Sequence, residues 1–372
     1  TDISRAIFLT IFINSFGVVQ NAKIVKDVNF KILANRTIIA NLFSGLFAIY
    51  LAYEDFGVWA LVIQMITASF LRVILLWSFS QWWPSFSFSI IPIKKLFAFS
   101  SNLLVSGVFD VIVSNIQTLL IGKFYTKADL GFYSQAKQLS SIPSQTLTSI
   151  ITNVTYPTLS TIQNRLDQLK VAYRQIIRIS LFTVLPLMLI LLAIANNLIP
   201  LILGDKWIPA IDYFVLLCIS GAFFPLNTIS LSILLVRGNS KLYLRLSIIK
   251  RIITLLAIVI TINYSVLALV IGQVVANIVN IFITMIFSGK EINYIFKEQF
   301  NDIYSIILLS GVISFVTYFY GFQMILNSDL FIVILNFCSA YLTFILLSFI
   351  FKLRAIEDLN SVYLILIRGK NS

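Results

Sequence analysis

Residues 102–118 read NLLVSGVFDVIVSNIQT and residues 134–152 read SQAKQLSSIPSQTLTSIIT, and each run places a polar residue about once per helical turn. The first stripe consists of Asn102, Ser106, Asp110 and Ser114 and continues to Gln117 and Thr118. The second consists of Ser134, Gln138, Ser141, Gln145, Thr148 and Thr152. At about 100° per residue, each set falls on one face of an α-helix. The other positions are mostly apolar, so the two runs are predicted to be membrane helices with polar stripes.

Polar stripes in membrane helices need partners, because hydrocarbon offers no hydrogen bonds. One interpretation is that the stripes line a water-filled cavity. The alternative is that they are polar contacts between closely packed helices. We take the cavity as the hypothesis and keep dry packing as its rival.

The composition of the 372 residues indicates a polytopic membrane protein. Hydrophobic residues make up 59%, charged residues 11%, and the mean hydropathy is +0.95, whereas soluble domains carry about 25% charged residues. The net charge of +12 lies in short connections between apolar runs, so we predict no nucleic-acid partner. Histidine is absent, which removes the commonest general base and metal ligand. We therefore predict no catalytic residue, metal or cofactor, and no enzyme.

The predicted fold is an all-α bundle of eleven transmembrane helices, each near the ~20 residues that span a bilayer. The segments are 3–19, 37–53, 57–79, 96–122, 130–155, 177–195, 210–236, 246–262, 265–288, 303–320 and 330–351. Basic residues occupy alternate connections, one of which includes Arg237, Lys241, Arg245, Lys250 and Arg251. These connections are predicted to be cytoplasmic. Residues 160–178 are predicted to form an amphipathic helix on the inner membrane surface.

The start of the chain is predicted to be cut, because it begins at Thr1 and runs directly into apolar sequence. The positions of the basic residues predict that the first segment crosses the membrane from the outer side to the cytoplasmic side. An odd number of helices is therefore expected to precede it if the native N-terminus is cytoplasmic.

The ionisable residues that we single out within the predicted spans are Arg72, Asp110 and Lys137. A charge at bilayer depth costs roughly 2.5–3.5 kcal/mol on insertion scales, so a function or an ion pair is expected to justify it. For Arg72 the alternative interpretation is that its long side chain extends to the membrane interface and has no functional role. The predicted substrate-contacting residues are Asn102, Asp110, Gln117, Lys137, Gln138, Gln145 and Arg72.

Several short motifs, in order along residues 50–250, resemble polysaccharide exporters of the multidrug/oligosaccharidyl-lipid/polysaccharide superfamily. They are FGVWALV at 56–62, LLIGKF at 119–124 with LGFYS at 130–134, VTYPTLSTIQ at 154–163, LGDKW at 203–207, and the run from Pro225 through Gly238 to Lys250. The chain departs from the family in having Gln117 where an Asp is common and Lys137 one place before the usual basic position. The family's ion-coupling residues are therefore not transferred to this chain.

The resemblance implies a flippase of the O-antigen or capsule type, with about fourteen helices in two six-helix bundles and two extra C-terminal helices. Residues 1–80 would then be the remainder of the first bundle, 81–288 the second bundle, and 289–372 the extra helices and a cytoplasmic tail. The implied substrate is a polyprenyl-diphosphate-linked oligosaccharide in the bacterial inner membrane. Membrane lipids and polysaccharide-assembly proteins would be the other partners. The alternatives are a drug/cation antiporter, a membrane polysaccharide polymerase or ligase, and a scaffold.

Overall fold

The computed structural model describes residues 2–26, 30–79, 90–323 and 330–359, and these residues form helices without a β-strand. The all-α prediction is therefore confirmed. In order, the helices are α1 Asp2–Ser15, α2 Val18–Lys26, α3 Phe30–Tyr53, α4 Val58–Phe79, α5 Ile90–Phe124, α6 Lys127–Thr161, α7 Leu166–Ala193, α8 Ala195–Leu203, a 3-10 helix Asp205–Ala210, α9 Ile211–Ala222, α10 Phe224–Val236, α11 Ser240–Thr261, α12 Val266–Glu291, α13 Phe296–Gln323 and α14 Leu330–Ile350.

Eight of the described helical segments are long and apolar enough to cross a membrane, and α1 with α2 supplies a ninth if that pair, bent by 50°, is one span. The other two predicted spans lie in α6 and α11, which are 35 and 22 residues long. Both are long enough to cross a membrane, but neither meets the same criterion of apolar composition. The stripe on α6 and the basic residues of α11 explain this, because they lower the hydropathy of otherwise apolar helices. These two helices are also walls of the polar cavity described below.

The chain divides into two compact units, Thr1–Ile90 and Ile91–Ser372. In the first unit, α3 and α4 pack side by side and are joined by a tight turn. Asp55 and Gly57 in this turn have φ values of 58° and 52°. Arg72 on α4 donates from Nη2 to Asn41 Oδ1 on α3 at 2.8 Å. This bond fixes the direction of the arginine within the unit.

The second unit is built around α7, whose side chains form much of its core. Tyr173, Leu181, Leu185 and Met188 on this helix are fully buried. Neighbouring helices α6, α9, α13 and α14 pack against it. The amphipathic helix predicted over residues 160–178 is not a separate element, because α7 runs unbroken from Leu166 to Ala193. Its first half is amphipathic, with Leu169, Tyr173 and Ile177 buried and Leu166, Asp167, Gln168 and Val171 exposed.

An ionic network joins the basic end of α7 to α13 and to residues 354–359, and we call it the inner cluster. Arg174 donates to both oxygens of Asp302 at 2.6 and 2.8 Å, and Arg178 donates to both oxygens of Asp358 at 2.5 and 2.9 Å. Further members are Lys170 with Glu298 at 2.8 Å, Arg178 with Asp302 at 3.3 Å, Arg354 with Asp302 at 3.5 Å, and the Tyr294 hydroxyl, which donates to Asp302. The cluster therefore stabilises the packing of the C-terminal helices against the core.

Replacing Gly289 by alanine is expected to destabilise the second unit, because the end of α12 leaves no room for a methyl group. A Cβ at this position would lie 2.2 Å from the Tyr294 carbonyl oxygen and 2.4 Å from Gln299 Nε2. Overpacking against backbone costs about 1–3 kcal/mol. Thermal unfolding in detergent measures the loss. The control is Gly131→Ala on α6, where no atom lies within 4 Å of the new methyl group; equal melting of the two variants would contradict the prediction.

Candidate functional site

A polar cavity of about 280 Å³ lies inside the second unit, among α5, α6, α9, α10, α11 and α12. Its described lining consists of Val113, Gln117, Lys137, Ser140, Ser141, Ser144, Gln145, Leu217, Ser220, Gly221, Phe224, Asn227, Arg251, Thr254, Gln273, Asn277 and Ile281. Hydroxyl and amide groups predominate over apolar side chains in this set. Of the predicted α6 stripe, Ser141 and Gln145 line this cavity, together with their neighbours Lys137, Ser140 and Ser144.

The serines of α6 satisfy their own hydroxyl groups within the helix. Ser140 donates to the Lys137 carbonyl at 3.1 Å, Ser141 to the Gln138 carbonyl at 3.1 Å, and Ser144 to the Ser140 carbonyl at 3.2 Å. Such bonds to the preceding turn are a common arrangement of serine and threonine in helices. Because the hydroxyl protons are used locally, the stripe does not require another helix as its partner. Each hydroxyl oxygen can still accept a hydrogen bond.

One amide on the opposite wall offers an unused donor. Gln117 on α5 is only 4% exposed, and its Nε2 has no hydrogen-bond partner among the described residues. A buried polar group without a partner costs about 1–3 kcal/mol. A water molecule or a polar ligand in the cavity would remove that cost.

Two cations enter the cavity from different helices: Lys137 from α6 and Arg251 from α11. The Lys137 ammonium also lies 5.7 Å from the centre of the Tyr133 ring, and the Tyr133 hydroxyl donates to Gln273 Oε1 at 3.4 Å. No carboxylate is among the described lining side chains. Positive charge at a site surrounded by membrane helices attracts anions more strongly than it would in bulk water.

A buried lysine connects this cavity to the packing of α10, α11 and α12. Lys250 is 6% exposed, and its Nζ donates to Asn227 Oδ1 at 2.7 Å. The Thr284 hydroxyl, which donates to the Asn280 carbonyl at 2.7 Å, also lies 3.4 Å from the same Asn227 oxygen. Asn227 is therefore held in one orientation where it lines the cavity.

The predicted site residues do not all lie together. Gln117, Lys137 and Gln145 line the cavity, whereas Gln138 is exposed and is absent from the lining. Asn102 donates to the Ser240 hydroxyl at 3.1 Å, so it joins α5 to the start of α11. Arg72 belongs to the first unit. The side chain of Asp110 lies outside the described residues.

Four cavity residues on α10, α11 and α12 were not predicted from the sequence, namely Asn227, Arg251, Gln273 and Asn277. Arg251 was predicted to lie in a basic connection, but this residue lies well inside α11. The signal that could have revealed it is the pair Lys250–Arg251 within the predicted span 246–262. A charge inside a predicted span should be treated as a candidate site residue.

Comparison with known proteins identifies the family. Residues 1–212 match the family described as "Polysaccharide biosynthesis protein". Relatives include the succinoglycan biosynthesis transport protein ExoT of Rhizobium meliloti, 26% identical over 60% of this chain and 46% of the relative. The teichuronic acid biosynthesis protein TuaB of Bacillus subtilis is 26% identical over 64% of this chain and 50% of the relative. The lipopolysaccharide biosynthesis protein WzxC of Escherichia coli is 25% identical over 48% of this chain and 36% of the relative.

The matches span about half the length of these relatives or less. Among solved structures, the fold is similar to that of the lipid II flippase MurJ in an inward closed conformation, with a TM-score of 0.61 and 17% identity over 88% of this chain and 71% of that chain. The apolar helices and these relatives establish a multi-pass protein of the bacterial inner membrane. Since the family match covers more than half of the chain, this protein is a member of the polysaccharide biosynthesis protein family.

Proposed function

We propose that this chain belongs to a transporter that flips polyprenyl-diphosphate-linked oligosaccharides across the bacterial inner membrane for polysaccharide synthesis. The observation that carries the proposal is the polar cavity enclosed by membrane helices, with cations on two of its walls. A relative named as a transport protein and a similar fold in a lipid II flippase support the same class.

The cavity matches the chemistry of such a head group. Sugar hydroxyls both donate and accept hydrogen bonds, and the amides of Gln117 and Asn277 and the hydroxyls of α6 offer both kinds of partner. A diphosphate is anionic, and Lys137 and Arg251 would contact it with charge-assisted hydrogen bonds. At about 280 Å³ the cavity is near the lower limit of ~300 Å³ for small-ligand sites, so it would hold part of the head group at a time. The polyprenyl tail would stay in the bilayer.

The cavity also bears on the rival functions. A drug/cation antiporter would bring a positive substrate to a site lined by Lys137 and Arg251, and like charges at short range repel. Alternating access between helix bundles would move the head group from one side to the other.

Cysteine accessibility tests the proposal, with single cysteines at Ser141 and Gln145 after Cys218 and Cys338 are replaced. We expect a water-soluble thiol reagent to label both positions in membranes, and lipid-linked oligosaccharide to slow the labelling. Ile150 on the same helix is the control, because it is exposed and does not line the cavity. Labelling that the substrate does not slow would contradict the proposal, and complete protection of both positions without substrate would show that this face is dry.

A further inference from the structure

A second, larger groove lies between the first turns of α13 and the residues that follow α14, away from the polar cavity. Its volume is about 840 Å³, and its walls are residues 300–309 of α13 and residues 351–355, which follow α14. Lys352 and Arg354 stand on one wall, and Tyr304 and Ser305 face them from the other. None of these residues lines the polar cavity.

Part of the rim of this groove is exposed and apolar within the second unit. Tyr304, Leu308 and Phe351 on its rim are exposed, although two of them are wholly apolar. In a membrane protein, large exposed apolar side chains face lipid. The groove also changes in polarity along α13: Leu308 lies about 10 Å deeper than Asn301 at 1.5 Å per residue. Its shallow end is therefore polar and basic, and its deep end is apolar.

Positive charge is in excess at the shallow end. Among the described residues, the inner cluster brings four basic side chains to three carboxylates. Asp302, only 1% exposed, already accepts two short bonds from Arg174, whereas Arg354 lies 3.5 Å away and its side chain is 69% exposed. The exposed Glu357 makes no ion pair with Arg354 within the described chain. The positive charge of Arg354 is thus only partly neutralised at the groove, and Lys352 adds a second positive charge.

We propose that this groove binds the head group of an anionic phospholipid from the adjacent leaflet. Lys352 and Arg354 contact the phosphate, and the hydroxyls of Tyr304 and Ser305 donate to its oxygens. Leu308 and Leu309 contact the first part of an acyl chain. Basic pockets between helices at the cytoplasmic surface are suited to such head groups. The bound lipid neutralises the surplus charge and stabilises the contact between α13 and residues 351–359.

Lipid titration of the purified full chain in neutral detergent, followed by native mass spectrometry, tests this proposal. We expect phosphatidylglycerol to bind more tightly than phosphatidylcholine. The double variant Lys352→Gln with Arg354→Gln should bind phosphatidylglycerol roughly tenfold to thirtyfold more weakly, as the ~1 kcal/mol per basic residue near an anionic surface implies. Lys241→Gln with Arg245→Gln is the matched control, because both residues are exposed, predicted to be cytoplasmic, and outside the groove.

A second variant separates lipid binding from general charge and from misfolding. Ser305→Trp should fill the groove and weaken phosphatidylglycerol binding without changing any charge, and unchanged gel filtration would show that the variant is folded. Millimolar inorganic phosphate and glycerol 3-phosphate distinguish a free anion from a lipid: displacement of the lipid by either would overturn the requirement for an acyl chain. Equal phosphatidylglycerol affinity in the groove and control double variants would overturn the proposal altogether.

Discussion

Replacing Lys137 by alanine is expected to reduce polysaccharide export about tenfold to a hundredfold while membrane abundance stays the same. The reason is that a hydrogen bond to a charged group contributes about 1.5–3 kcal/mol, which corresponds to that range of affinity. Lys137→Arg should restore most of the export, because the charge and the donors return. Export is measured in a strain that lacks its own flippase and expresses the full-length protein with each change.

The control for this prediction lies on the same helix. Lys127→Ala removes the same charge from the exposed start of α6 and should leave export unchanged. Arg251→Gln should act like Lys137→Ala, because Arg251 lines the same cavity from α11. If Lys137 instead serves only to neutralise Asp110, the double change Asp110→Asn with Lys137→Ala should restore export, since no unpaired charge is left. That recovery, or normal export by Lys137→Ala, would remove Lys137 from the substrate path.

Replacing Asp302 by asparagine is expected to lower the free energy of unfolding by about 3 kcal/mol, the low end of the cost of removing one partner from a buried ion pair. The carboxylate is 1% exposed, accepts both Arg174 bonds, and lies within 3.5 Å of Arg178 and Arg354. Asparagine keeps the volume but removes the charge that these three cations share. Thermal unfolding of the purified chain in detergent measures the effect.

Two further variants determine whether charge is the cause. Replacing both Asp302 and Arg174 by leucine should recover part of the lost stability, because an apolar pair leaves fewer unmatched charges. Asp2→Asn should cause no measurable change, since the Asp2 and Arg5 side chains are 82% and 86% exposed and solvent screens their pair. An Asp302→Asn protein that unfolds at the wild-type temperature would show that the inner cluster does not stabilise the C-terminal helices.

Local patterns in the sequence determined the helices and much of one cavity wall. Apolar runs of sufficient length predicted the spans, because a helix satisfies its own backbone in lipid whatever surrounds it. The alternating four- and three-residue spacing of the α6 stripe indicated a polar face, and Gln145 and Ser141 do line the cavity. Gln138 does not, although it belongs to the same predicted stripe. Each residue turns the helix by about 100°, so the spacing defines a face only approximately and packing selects the residues at its centre.

Only the tertiary structure decided which distant residues meet. Arg174 pairs with Asp302, 128 residues away, and Arg178 pairs with Asp358, 180 residues away. From the sequence, both arginines were instead predicted to lie in an amphipathic helix on the inner membrane surface. Arg251 likewise joins Lys137 at the cavity only because α11 packs beside the other walls. The period of one helix contains no information about its rotation against another, and that rotation depends on how side chains interdigitate across the whole bundle.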